Sequence, residues 1–82
     1  MNQEVRETIR EMLAEMLEEE PQDVGDEAHL VKELGADSMS VLELMASLEQ
    51  RFDIVIRPEF FPELVTLNQS AALVERLLHE NG

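Results

Sequence analysis

Leu34-Gly35-Ala36-Asp37-Ser38-Met39-Ser40 decides the reading of this chain, because it carries a loop into a helix and leaves a serine at the junction. Gly35 lacks a Cβ and suits a tight turn. Asp37 or Ser38 is able to accept hydrogen bonds from the free N–H groups that open a helix. Downstream, Val41, Met45, Leu48 and Phe52 recur with helical spacing, so the spacing predicts a helix from Val41 to Phe52 with one buried face. Ser38, Met39 and Glu43 then lie toward its exposed N-terminal side. Taken alone, a Gly-x-Asp-Ser sequence is only a turn followed by a cap, and its meaning depends on what surrounds it.

Upstream, Val5, Ile9, Met12, Leu13, Met16 and Leu17 follow helical periodicity from about Asn2 to Glu19, while Glu4, Glu7, Glu11, Glu15 and Glu18 occupy the other face. This is an amphipathic helix with an acid stripe, and its methionines read as core. Glu18-Glu19-Glu20-Pro21 signals its end: like charges crowd a terminus that disfavours anions, and Pro21 blocks continuation. Residues 20–37 form a long connection punctuated by Pro21, Gly25 and Gly35, with Val24, Leu30, Val31 and Leu34 as apolar pins and a short helical turn expected near Leu30. Asp23, Asp26 and Glu27 lack the ordered alternation, central glycine and terminal glutamate of a calcium loop, so no metal site is expected.

Beyond the second helix, Ile54-Val55-Ile56 is apolar and β-branched but has no evident partner strand, which makes it an extended connector. Pro58 opens a short helical segment to Leu64 that presents Phe60 and Phe61. Thr66-Leu67-Asn68-Gln69 has capping-box spacing and starts a last helix that continues through Ala71, Val74, Leu77 and Leu78 to Glu80. The expected fold is all-α: a small four-helix bundle of three principal helices and one short one, with a long first loop, in a single domain over 1–82.

Composition narrows the function. A chain of 82 residues buries about 60 to 65% of its unfolded surface and has no room for a separate substrate domain. A net charge of −13, from 19 acidic and 6 basic residues, argues against nucleic acid and anionic membranes and favours an electropositive protein partner. With no cysteine there are no disulfides, thiolate nucleophiles or thiolate metal ligands. No stretch reaches the length of a membrane span, so the expectation is a cytoplasmic protein without membrane insertion. Catalysis would need a base beside Ser38, yet His29 sits in the long loop and His79 near the C-terminus, in no triad order; no catalytic residue is expected.

From about Asp23 to Leu78 the chain resembles the acyl carrier proteins. The likeness is carried by Leu34-Gly35-Ala36-Asp37-Ser38, Glu43-Leu44, Leu48-Glu49, Phe52-Asp53, Ile56 and the helix start at Thr66-Leu67. The resemblance implies a non-catalytic carrier in which Ser38 receives 4′-phosphopantetheine from coenzyme A, with Asp37 part of the recognition signature. It implies a phosphopantetheinyl transferase (holo-carrier synthase) as one partner, and ketosynthase, acyltransferase or acyl-ligase enzymes as others, serving a monomeric carrier. A phosphodiester on Ser38 would sit where helix dipole and free N–H groups favour negative charge, and the arm would supply the thiol that the chain lacks.

Met39, Glu43 and Glu49 are the expected partner-binding residues, with Met39 a small apolar anchor. Leu42, Met45, Phe60, Phe61 and Leu64 are expected to line a pocket for an acyl chain between the second and third helices, or else to fill an ordinary core. Ser40, Gln50 and Arg51 stand where fatty-acid carriers of this family are often acidic, and Phe60-Phe61 replace mostly polar residues. The expected function is a carrier of acyl thioesters for fatty-acid, specialised fatty-acyl or polyketide biosynthesis, and these departures favour a dedicated polyketide or specialised acyl pathway over the housekeeping one. An aminoacyl, D-alanyl or peptidyl carrier, or an unmodified acidic interaction module, are the alternatives.

Overall fold

The computed structural model describes residues 3–81. Three α-helices, α1 (Gln3–Leu17), α2 (Ser38–Phe52) and α3 (Leu67–Asn81), are joined by a long first connection and by a second that contains a 3₁₀ helix, Pro58–Glu63. Among the described residues there is no strand; a lone antiparallel bridge joins His29 to Thr66. The architecture is the expected all-helical bundle. The expected first residue of the first helix, Asn2, lies outside the described residues.

Helix bounds are set by local chemistry. The Leu17 end of α1 precedes the acidic run: Glu18 turns left-handed (φ 56°), and Glu19 and Glu18 donate their N–H groups back to the carbonyls of Ala14 (2.8 Å) and Glu15 (3.3 Å). That is the paired bonding of a Schellman ending, with glutamate where glycine is usual. Pro21–Asp23 then forms a single 3₁₀ turn that sequence spacing did not signal. The beginning of α2 falls three residues ahead of Val41, because Asp37 rather than Ser38 is the cap. Asp53 ends it in the left-handed region (φ 54°), and the N–H groups of Asp53 and Ile54 both point to the Glu49 carbonyl. Thr66 caps α3, its hydroxyl accepting the Gln69 N–H at 3.1 Å.

One apolar cluster gathers the three helices. Val5, Ile9, Leu13 and Ala14 of α1, Val41, Leu44, Met45 and Leu48 of α2, and Leu67, Ala71, Leu73, Val74 and Leu77 of α3 are all buried. Ile54 and Ile56 join this core while Val55 between them faces out, the alternation of an extended connector. In the long connection Val24 and Leu30 are fully buried and Leu34 packs against the cluster, whereas Val31 is half exposed. The reason is a helical turn over residues 29–34, where Leu30 and Leu34 share one side and Val31 falls on the other.

Polar ties then fix the connection. Arg10 of α1 donates to the Val24 carbonyl and pairs with Asp26 and Glu7. Arg6 reaches Asn68 at 3.1 Å, the Asn68 amide donates to Glu27, and the Asn68 N–H bonds the Asp26 carbonyl at 3.0 Å. The Leu30 N–H meets the Val65 carbonyl at 2.9 Å. Both ends of the loop are thereby fastened, which delivers residues 34–37 to the start of α2 in one conformation.

Candidate functional site

The approach to α2 is made by a turn that only glycine enters without strain. Gly35 has φ 78°, and the Ala36 N–H returns to the Leu30 carbonyl at 2.9 Å. A Cβ on Gly35 would meet nothing within 4 Å, so backbone conformation and not space selects this residue. Ala36 is buried beneath the turn, and the chain emerges at Asp37.

Asp37 accepts the Ser40 N–H at 2.8 Å, and its carbonyl accepts the Val41 N–H at 3.1 Å. The Ser40 N–H, then the Ser40 hydroxyl, hold the Asp37 carboxyl below the usual carboxylate range. With Asp37 as the cap, Ser38 becomes the first residue of the helix proper, exposed on the axis end where N–H dipoles converge. The other serines differ: Ser40 and Ser47 are half-buried, and Ser70 is fully buried with its hydroxyl donating to the Thr66 carbonyl at 2.9 Å. Ser38 therefore presents the most accessible hydroxyl of the four. No acidic residue occupies the first turn of α2, so an anion on Ser38 Oγ would meet the positive end of the helix with Asp37 as the adjacent negative charge.

Around Ser38, α2 exposes Met39, Leu42, Glu43, Ala46 and Gln50. Met39 is 63% and Leu42 50% exposed, an apolar pair one turn apart next to the serine. Glu49 is placed differently from Glu43. Its carboxylate accepts the Ile56 N–H at 2.8 Å, tying the extended connector back to the helix it has just left. Glu43 instead lies between α2 and α1, on the rim of a cavity shared with Met12, Glu15, Met16 and Ser47.

Of the five residues expected around an acyl chain, Met45 and Leu64 are buried in the general core and Phe60 and Phe61 pack against it as partly buried residues. Leu42 stands at the outer edge. Phe60 also borders a second cavity of about 410 Å³ with Val55, Arg57, Leu77 and Glu80. The Arg76 guanidinium sits 5.4 Å from the Phe60 ring centre and pairs with Glu63 at 3.0 Å, which binds the 3₁₀ helix to α3.

His29 closes the turn in the long loop, its Nδ1 accepting the N–H groups of Val31 (3.2 Å) and Lys32 (3.0 Å). Glu33 accepts the His29 N–H in return at 3.1 Å, a reciprocal cap for which histidine gave no sequence signal. Among the described residues no group of histidine and acidic side chains is arranged to hold a metal ion. No described helix is long and apolar enough to cross a membrane.

This geometry has relatives. Residues 7–74 match the family described as phosphopantetheine attachment site. The acyl carrier protein of Campylobacter concisus is 34% identical over 73 residues, covering 89% of this chain and 95% of that one. That of Wolinella succinogenes is 36% identical over 67 residues, covering 82% and 88%. A solved apo doublet acyl carrier protein from prodigiosin biosynthesis superposes with a TM-score of 0.77 at 18% identity over 90% of this chain and 36% of its own, a likeness of fold. An exposed serine hydroxyl at a helix N-terminus fits a phosphodiester-linked arm, and acyl carrier proteins are non-catalytic carriers. The chain belongs to the acyl carrier protein family, whose cofactor is 4′-phosphopantetheine.

Proposed function

We propose that Ser38 is the residue that carries 4′-phosphopantetheine and that residues 1–82 act as one carrier domain, in the cytoplasm, for a polyketide or specialised acyl pathway. The observation that supports Ser38 is its position: the exposed first residue of α2, immediately after the Asp37 cap. The bound group supplies a terminal thiol on which acyl groups are held as thioesters. The protein's part is to present that serine to a phosphopantetheinyl transferase and then to pathway enzymes of the ketosynthase, acyltransferase or acyl-ligase kind. Met39 and Leu42 offer such enzymes an apolar contact, with Glu43 beside them to favour encounter with a basic surface.

The choice of pathway rests on the same face. Of the exposed residues along α2 from Met39 to Gln50, Glu43 alone is acidic, because Glu49 is drawn toward Ile56. Specificity is a difference of affinities, and a docking face this apolar matches a less basic partner than a heavily acidic one would. The test incubates the chain with coenzyme A and a broad-specificity transferase and follows intact mass. The parent gains one phosphopantetheine, and Ser38→Ala gains none while keeping its helix content. Equal incorporation into the alanine variant refutes the assignment. Elongation by a housekeeping fatty-acid synthase as efficient as with that system's own carrier refutes the pathway.

A further inference from the structure

The acid stripe of α1 has no part in presenting Ser38, yet the fold assembles it into something more definite than a solvated face. Met12, Glu15 and Met16 of α1 meet Glu43 and Ser47 of α2 around a cavity of about 220 Å³. The two methionines are half-buried and packed against the core, so their free sides form an apolar floor. Glu15, from α1, and Glu43, from α2, line it as exposed residues.

Neither carboxylate has a cationic partner among the described residues. Arg6, Arg10, Arg57 and Arg76 pair elsewhere, with Asp26, with Glu7 and Asp26, with Glu59 and with Glu63 respectively. Glu11 and Glu15 are moreover one turn apart on the same helix, a like-charge spacing that opposes helix stability. Lys32 and Arg51 form no ion pair among the described residues, and neither lines the cavity. A partner that brings its own cations would offset the repulsion.

We infer that the α1–α2 groove, which shares Glu43 with the face beside Ser38, extends the docking surface onto α1 and receives a basic amphipathic helix of a pathway enzyme. The inference rests on the carrier reading. Methionine adapts to apolar side chains of different shapes, and glutamates from both helices match lysine or arginine flanking an apolar stripe, the pattern of a helix laid into a groove. Neither Met39 nor Leu42 lines the cavity. An enzyme is then able to hold the carrier through α1 while the end of α2 that bears Ser38 enters an active site.

The probe is a synthetic amphipathic peptide of about 18 residues, leucine on one face and lysine on the other, long enough to hold a helix. Its scrambled isomer of equal charge is the control. Binding to the full chain is read from methionine methyl and backbone amide chemical shifts. Saturable shifts at Met12, Met16 and Ser47 are expected, with the scrambled peptide bound at least about fivefold more weakly. Glu15→Lys should weaken the helical peptide about fivefold, and Glu80→Lys, on the other cavity, less than about twofold. Equal binding of the scrambled peptide, shifts centred on Met39 and Leu42, or no saturable binding overturns the inference. The same titration on Ser38→Ala, beside the mass assay on the parent, separates failure of the groove from failure of the carrier assignment.

Discussion

Replacing Arg10 with methionine should loosen the whole first connection, because one guanidinium holds three acceptors there. Methionine keeps most of the apolar stem and deletes the donors. In the parent, only 16% of the Arg10 side chain is exposed, and it reaches the Val24 carbonyl, Asp26 and Glu7. The three contacts are unequal. Glu7 is more than half exposed, and a screened surface pair of this kind contributes close to nothing. Asp26 is 43% exposed, so its pair is discounted to about 1 kcal/mol or less. Val24 is fully buried, and a buried carbonyl deprived of its donor costs about 1 to 3 kcal/mol. The expected loss for Arg10→Met is therefore about 1 to 4 kcal/mol, or at least about 4 °C in melting temperature for a domain of this size.

Asp26→Asn keeps the Val24 bond and should cost about 1 kcal/mol or less, so the order of the two variants reports which contact matters. Acid adds an independent reading. The hydrogen bond from Arg10 is the leading cause that holds the Asp26 carboxyl below its usual range. A carboxyl whose folded pKa is depressed stabilises the fold above its unfolded pKa, about 3.9, and loses that contribution as pH falls through the lower folded value. The gap in stability between parent and Arg10→Met should narrow below about pH 4 yet persist in part, since the Val24 bond survives acid. Urea titrations at neutral pH and near pH 3 measure both. A variant that melts within about 2 °C of the parent, or Asp26→Asn as damaging as Arg10→Met, refutes the reasoning.

Other expectations are equally direct. Gly35→Ala should cost about 1 to 2 kcal/mol from the left-handed backbone alone, with Gly35→Asn milder; an alanine variant as stable as the parent in calorimetry would place the origin of that glycine elsewhere. Charge reversal of Glu43 should slow modification by the transferase more than reversal of Glu11, and the opposite order moves the transferase's face to α1. If Met45, Phe60, Phe61 and Leu64 part to admit an acyl chain, melting temperatures should rise from the unacylated phosphopantetheine form through acetyl and hexanoyl to octanoyl. Each buried methylene gains about 0.8 kcal/mol before reorganisation, and a flat series leaves the chain in solvent.

Periodicity was enough to find all three helices, since Val5, Ile9 and Leu13 or Val41, Met45 and Leu48 declare a buried face wherever they occur. Helix ends were less legible, because they depend on which of two adjacent side chains wins a hydrogen bond. Asp37 and Ser38 were both able to cap, and when Asp37 takes the Ser40 N–H, Ser38 moves into the helix and its hydroxyl is left for other chemistry. The acidic run before Pro21 marked where the first helix stops, but the last residue falls at Leu17 and not Glu19 because Glu18 adopts a conformation that sequence rules reserve for glycine or asparagine.

The charges of the docking region show a deeper limit. In sequence, Glu43 and Glu49 are equivalent acids on one helix. In the fold they part, because Asp53 turns the chain left-handed and brings the Ile56 N–H back onto the Glu49 carboxylate. Glu43 meanwhile lines one cavity with Glu15, a residue 28 positions away that no local pattern associates with it. The acid around that cavity is thus assembled by the packing of α1 on α2 and not by the composition of α2 alone. Substitution of Glu15 on α1 therefore tests that shared acidity without altering α2 or Ser38.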